Sequence, residues 1–196
     1  LYVQPMDWAP GDKQILCLFA RHDGTNQLAL VSVADGAVRV LKSLEWKYPS
    51  SASFSPDGRH IVYDVPVHES QPNRDIFLLA ADGSREVPLV QHPALDAAPF
   101  WFPDGHRVLF MSDRTGSPSL WAISVPGGKP QGSPELVKRD LGRSLPLGFT
   151  RDGSLYYALQ AGTQDIYIAG VDLEGGRLVT PAAKAVERYE GSNASP

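Results

Sequence analysis

Short apolar runs alternate with tight polar turns along the whole chain, and helical spacing is never sustained, save for a hint between Ala182 and Tyr189. Apolar runs at 15–20, 61–65, 108–112 and 155–159 each follow a turn. A second set stands at 28–31, 76–79, 120–123 and 166–169. Runs of four to six residues bounded by Gly, Pro and Asp read as strands. Each member of the second set leads into a Gly pair: Asp35-Gly36, Asp82-Gly83, Gly127-Gly128 and Gly175-Gly176. Such pairs supply the positive φ that a short hairpin needs. A weaker strand then closes the unit, as in Val38-Arg39-Val40-Leu41.

The turns ahead of the first set share a cassette. It reads Asp7-Trp8-Ala9-Pro10-Gly11-Asp12, Ser53-Phe54-Ser55-Pro56-Asp57-Gly58, Phe100-Trp101-Phe102-Pro103-Asp104-Gly105 and Gly148-Phe149-Thr150-Arg151-Asp152-Gly153. Pro10, Pro56, Pro103 and Arg151 are 46, 47 and 48 residues apart, with an aromatic two places earlier each time. Four strands per repeat, joined by short turns, make an antiparallel meander, and a period near 47 makes that meander a propeller blade. A β-sandwich has no reason to repeat one cassette four times in register. The fold expected is all-β: four tandem four-stranded antiparallel blades, part of a larger six- to eight-bladed propeller. Blades are placed at about 1–46, 47–93, 94–141 and 142–185. Residues 186–196 form a lead-in to a fifth, because Asn193-Ala194-Ser195-Pro196 aligns with Asp96-Ala97-Ala98-Pro99. The cassette aromatic is assigned to the innermost strand, wedged between neighbouring blades.

The cassette and the stretch Ser112-Asp113-Arg114-Thr115-Gly116-Ser117-Pro118-Ser119-Leu120-Trp121 resemble the WD-repeat-like blades of the bacterial TolB propeller. Their pattern is an aromatic, Ser-Pro-Asp-Gly, an apolar strand, Ser-Asp-Arg-x-Gly and an apolar-aromatic strand. The resemblance extends over nearly the whole chain and specifies the blade type rather than a function. Similar blades occur in the periplasmic TolB protein, in propellers of prolyl-oligopeptidase-type serine peptidases, and in sensor portions of bacterial regulators and kinases. An extracytoplasmic, periplasmic location is what the first of these implies.

Composition narrows the chemistry. Net charge is −4, with no Lys/Arg cluster beyond short pairs, so a nucleic-acid partner lacks its electrostatic footprint. No segment reaches the roughly 18 apolar residues of a membrane span. The single cysteine, Cys17, sits in an apolar run and reads as a buried thiol. There is no Gly-x-Ser-x-Gly elbow, no metal-ligand spacing among His22, His60, His68, His92 and His106, and no phosphate loop. No catalytic residue, metal or cofactor is therefore assigned. Asp57, Asp104 and Asp152 read as turn formers.

Strand order puts the cassette turns and outer Gly turns on one face, and the irregular loops on the other. Those loops, at 21–27, 66–75, 112–119 and 160–165 with linkers 44–48 and 91–96, hold the candidate binding residues: Arg21, His22, Trp46, Tyr48, His68, Arg74, His92 and Arg114. Arg and aromatic side chains are enriched at binding hot spots. The expected role is a non-catalytic scaffold for a protein or peptide; the alternatives are a propeller gating a serine peptidase and a ligand-sensing propeller of a regulator or kinase. Replacing Arg114, Trp46 or His68 by Ala is expected to weaken binding and spare the melting temperature. An open arc is expected to wet Ile15, Leu28, Tyr156 and Ile166, and a homodimer through the open flanks would cover them.

Overall fold

The computed structural model describes residues 1–142, 144–150, 154–159, 167–168, 171–172, 177–181 and 183–184. Two compact units divide the chain, Leu1–Ala158 and Leu159–Pro196.

The first unit contains three complete meanders. Blade 1 is β1 (Tyr2–Trp8), β2 (Gln14–Ala20), β3 (Asn26–Ser32) and β4 (Val38–Glu45). Blade 2 is β5 (Ala52–Phe54), β6 (His60–Pro66), β7 (Arg74–Ala80) and β8 (Glu86–Val90). Blade 3 is β9 (Asp96–Trp101), β10 (Arg107–Ser112), β11 (Ser119–Ser124) and β12 (Gln131–Lys138). Each sheet pairs in sequence order, antiparallel throughout. A fourth sheet begins with β13 (Ser144–Phe149) against β14 (Leu155–Leu159). In the second unit, β15 (Tyr167–Ile168) pairs with β18 (Ala183–Lys184), and β16 (Val171–Asp172) with β17 (Arg177–Leu178).

Why the strands read as continuous apolar runs is now plain, because the central strands bury both faces. Along β6, Ile61 and Tyr63 enter the core shared with blade 1, while Val62 enters the core shared with blade 3. That two-residue alternation is intrinsic to a strand. Leu16, Leu18, Leu28 and Leu30 meet Phe54, Ile61, Tyr63 and Leu79 in the first interblade core. Val62, Ile76 and Leu78 meet Trp101, Val108 and Phe110 in the second. Leu109, Leu120 and Ala122 meet Phe149, Leu155 and Tyr157 in the third. The cassette aromatic therefore always points back to the preceding blade. Among the described residues no blade packs on Trp8, which is 53% exposed.

Leu28 corrects an expectation. It is fully buried, because its side of β3 faces blade 2 rather than the open flank. Ile15 is half-buried and Tyr156 exposed; Ile166 lies outside the described residues. Cys17 is buried on the opposite side of β2 from Leu16 and Leu18, and burial raises its thiol pKa. Most strand prolines lie on edges: Pro5, Pro99 and Pro146 on innermost strands and Pro88 and Pro134 on outermost ones, while Pro66 ends the central strand β6; an edge proline discourages edge pairing.

Blades are also tied by polar contacts. Arg39 donates to the carbonyls of Ala81 and Asp82 in the outer turn of blade 2. Lys42 pairs with Glu86 at 2.5 Å, and the buried Tyr63 hydroxyl donates to the same carboxylate. Burial first, then the Glu86 carboxylate, pushes the Tyr63 phenol pKa up.

Candidate functional site

Asp57 and Asp104 close their own cassette turns. Asp57 accepts from the Ser55 hydroxyl at 2.6 Å and from the Arg59 amide at 3.0 Å; the Ser55 contact leads in holding its carboxyl below the usual range. Asp104 does the same for the His106 amide and pairs with Arg107. Asp152 lies outside the described residues. No group of three or more His, Cys, Asp or Glu side chains suited to a metal ion occurs among the described residues.

The innermost strands β1, β5, β9 and β13 line an open cavity of about 700 Å³. The first two blades contribute Gln4, Asp7, Ser50, Ser51 and Ser53 together with Met6 and Phe54, and the third and fourth contribute Pro99, Phe100, Pro146, Leu147 and Phe149. Asp7 accepts from its neighbour's amide, Trp8, at 2.8 Å and from the Phe54 amide of the next blade at 2.7 Å. Its carboxyl titrates above the usual aspartate range, because desolvation outweighs those two hydrogen bonds. Ser51 donates across the next junction to the Pro99 carbonyl at 3.0 Å. Phe149 stacks against Phe102 at 4.8 Å and tilts against Phe100 at 5.6 Å. Asp7, Ser53, Phe100 and Phe149 belong to the cassettes, whereas Gln4, Ser50, Ser51, Pro146 and Leu147 carry no signal in the sequence that marks them.

The irregular loops form a connected rim on the opposite face from the cassettes. The Tyr48 hydroxyl donates to Gln4 at 2.5 Å, and the Tyr48 carbonyl accepts from Arg74 at 2.5 Å. Arg74 bridges to Leu95 in the next linker, whose amide donates to Asp113 at 2.9 Å. Trp46 and Tyr48 are 36% and 39% exposed; the Trp46 carbonyl accepts from Asn26 at 3.1 Å. His68 and His92 are exposed, as are Arg21 and His22 on the loop of blade 1. Arg21 reaches Gln27 at 3.1 Å.

Two of the candidates have other work. Arg74 pairs with the fully buried Asp64, which also accepts from the amides of Ser50 and Ser51 at 3.1 and 2.9 Å. Arg114 pairs at 2.7 Å with Asp96, also fully buried, and lies over Trp121 at 4.8 Å and Phe110 at 5.3 Å. Both guanidinium groups compensate a buried carboxylate and pin loop to linker. This geometry argues against the expectation that Arg114 can be removed without loss of stability, since a charge beneath it would be left unpaired. The Ser-Asp-Arg segment is thus a fastening, with Ser112 accepting from Arg114 at 2.9 Å and Asp113 holding Leu95.

This arrangement, with aromatics directed back, cassettes on one rim and Asp–Arg fastenings on the other, agrees with the family comparison, in which the TolB beta propeller domain matches residues 3–133. The chain belongs to the TolB beta propeller domain family. TolB from Acinetobacter baumannii superposes with a TM-score of 0.67 over 92% of this chain and 44% of its own, at 20% identity. The propeller domain of the trilobed protease of Pyrococcus furiosus, described as having an open velcro topology, gives 0.56 at 12% identity, over 95% of this chain and 57% of that one. Among curated proteins, dipeptidyl-peptidase 5 of Porphyromonas endodontalis is 32% identical over 124 residues, 62% of this chain and 16% of its own. The Tol-Pal system protein TolB of Wolinella succinogenes is 27% identical over 79 residues, 40% of this chain and 18% of that protein. The chain thus spans less than a fifth of the curated relatives it matches. No helix among the described residues is long and apolar enough to cross a membrane, a fact that leaves β-barrels aside.

Proposed function

We propose that this propeller segment binds a protein or peptide at its irregular-loop rim and does not itself carry out chemistry. The observation that carries the reading is the exposed aromatic pair Trp46 and Tyr48 on a rim braced by buried ion pairs. Aromatic anchors on a rigid support lose little conformational entropy on binding. The exposed His68 and His92, on the following loop and linker, are included in the same surface. Arg74 and Arg114 belong to the bracing rather than to the contact surface. Membership in the TolB propeller family supports an extracytoplasmic, periplasmic setting as part of the same proposal.

A second reading has its own support. The matches to dipeptidyl-peptidase 5 favour a propeller that gates a peptidase domain elsewhere in the protein, with the wall of the central cavity as the passage. The two readings separate in one experiment. Trp46→Ala and Tyr48→Ala are expected to weaken capture of a partner from a defined panel of candidate proteins and peptides by roughly tenfold or more, the cost of losing a hot-spot ring. The same substitutions should shift the melting temperature little. Unchanged binding, with loss instead on substituting Phe100 or Leu147 in the cavity wall, would transfer the function to the passage.

A further inference from the structure

The outer turns of neighbouring blades are joined differently at the two complete junctions. Between blades 1 and 2, Arg39 of β4 crosses over and donates to the carbonyls of Ala81 and Asp82 at 3.2 and 3.0 Å. Arg39 stands opposite Leu30 of β3, and the matching position in blade 2 is Val87, opposite Leu78 of β7. A valine has neither the reach nor the donors to make that crossing. The carbonyls of blade 3 that match Ala81 and Asp82 are those of Val125 and Pro126, because Ala80 and Ser124 each pair with the first residue of a second strand. They are satisfied inside their own turn, by the amides of Gly128 at 3.3 Å and Lys129 at 3.2 Å.

The second junction therefore keeps a recess of about 100 Å³, room for about three waters. Its apolar lining is Leu78, Ala80 and Val87, and its charged or titratable lining is His60, Arg85 and Lys129. Arg85 and Lys129 are exposed and have no ion-pair partner among the described residues. The His60 ring is held in place, since a Cβ on Gly128 would overlap it and the Trp101 ring stands 6.4 Å away. No carboxylate lines the recess. Those nearest along the chain are engaged elsewhere: Glu86 by Lys42 and Tyr63, Asp82 by the Ser84 amide, and Asp57, which feels His60, by Ser55 and Arg59.

We propose that this recess binds a small tetrahedral oxyanion, a phosphate or phosphate monoester, through Arg85, Lys129 and His60. The three side chains come from three separate elements: the β7–β8 turn, the outer turn of blade 3 and the start of β6. Donors converging from three directions suit an anion with acceptors on every side better than a planar carboxylate. Hydrogen bonds between an ionised donor and an ionised acceptor are the strong ones, and apolar walls on one side strengthen them further. A bound oxyanion would join Arg85 of blade 2 to Lys129 of blade 3, and so fasten from outside the junction that Val87 leaves without a crossing side chain. The site lies on the cassette and outer-turn face, away from the loop rim, and is independent of the binding role proposed there.

The test is an NMR titration of the chain at fixed pH and ionic strength, with chloride replaced stepwise by inorganic phosphate or by methyl phosphate. Saturating shifts are expected at His60, Arg85 and the amides of residues 127–129. Arg85→Ala and Lys129→Ala should each weaken phosphate binding by roughly tenfold, the loss of one charge-assisted hydrogen bond. Lys13→Ala, which removes another exposed cation from the same face, should leave it unchanged. Should either alanine variant lose the fold, Arg85→Gln and Lys129→Gln give the same comparison. Comparable binding of methyl phosphate supports a site for phosphate groups carried on small molecules, and binding of phosphate alone supports the free inorganic anion. Shifts that fail to saturate, spread over the surface, or fall equally in all three alanine variants overturn the proposal in favour of general charge screening. So does the absence of any shift.

Discussion

Replacing Arg114 by Met removes the only hydrogen-bonding cation that Asp96 has among the described residues, while keeping much of the packing volume. Asp96 is fully buried, its Oδ1 takes the guanidinium at 2.7 Å, and its Oδ2 has no hydrogen-bond partner among those residues. Breaking a buried pair by deleting one partner costs about 3–5 kcal/mol, because the surviving charge stays desolvated. Loss of the guanidinium from the faces of Trp121 and Phe110 adds about 0.5–1 kcal/mol. A single domain of this size holds about 5–15 kcal/mol in all, so the variant should unfold at much lower urea concentration. The defect should also depend on pH in a definite direction. Desolvation already raises the folded-state pKa of Asp96 despite Arg114, and removing the cation raises it further. Protonation then neutralises the stranded carboxylate, so the loss relative to the parent should shrink as pH falls through the variant's raised pKa. Asp96→Asn in the Arg114→Met background should recover most of it. Urea denaturation of the parent, both single variants and the double variant at pH 5 and pH 8 measures this directly. A loss under about 1 kcal/mol that does not change with pH would show the pair to be solvent-screened and return Arg114 to the binding surface.

Other outcomes follow from single contacts. Gly83→Ala should cost about 2–3 kcal/mol, from left-handed φ plus collision with Leu41, whereas Gly36→Ala, at a similar φ but facing open space, should cost only about 1 kcal/mol; thermal melts of the pair give the comparison. Tyr63→Phe deletes the hydroxyl donor to Glu86 and should cost about 1–2 kcal/mol, with the loss largely abolished in a Glu86→Gln background if the two act together. Asp7 titrates above its unfolded value, so its contribution is fully present below about pH 3.8 and is lost as pH rises through the folded pKa. Stability of the parent relative to Asp7→Asn should therefore decline from acid toward neutral pH in chemical melts, and a rising difference would contradict the burial argument.

The blade architecture was legible because hairpins are local. A Gly pair demands positive φ wherever it stands, alternation along 61–65 follows from strand geometry, and a cassette repeated every 46 to 48 residues cannot keep register by accident. The rim could be placed on one face for the same reason, since strand order alone decides which loops share an end. What a particular side chain does there depends on neighbours distant in sequence. Arg114 reads as an exposed loop cation, yet its carboxylate partner lies 18 residues away and meets it only when β9 pairs with β10. Arg74 and Asp64 come together across the β6–β7 hairpin beneath the linker that holds Tyr48. Leu28 looked like flank and is core, because the choice between two faces of one strand is made by the adjacent sheet. Trp8 is the converse case: it stands two places before a proline just as Trp101 does, and only the absence of a neighbouring sheet in the described structure leaves it half in water. Period and turn chemistry are properties of the chain, whereas burial belongs to pairs of blades, so it emerges only when the sheets are stacked.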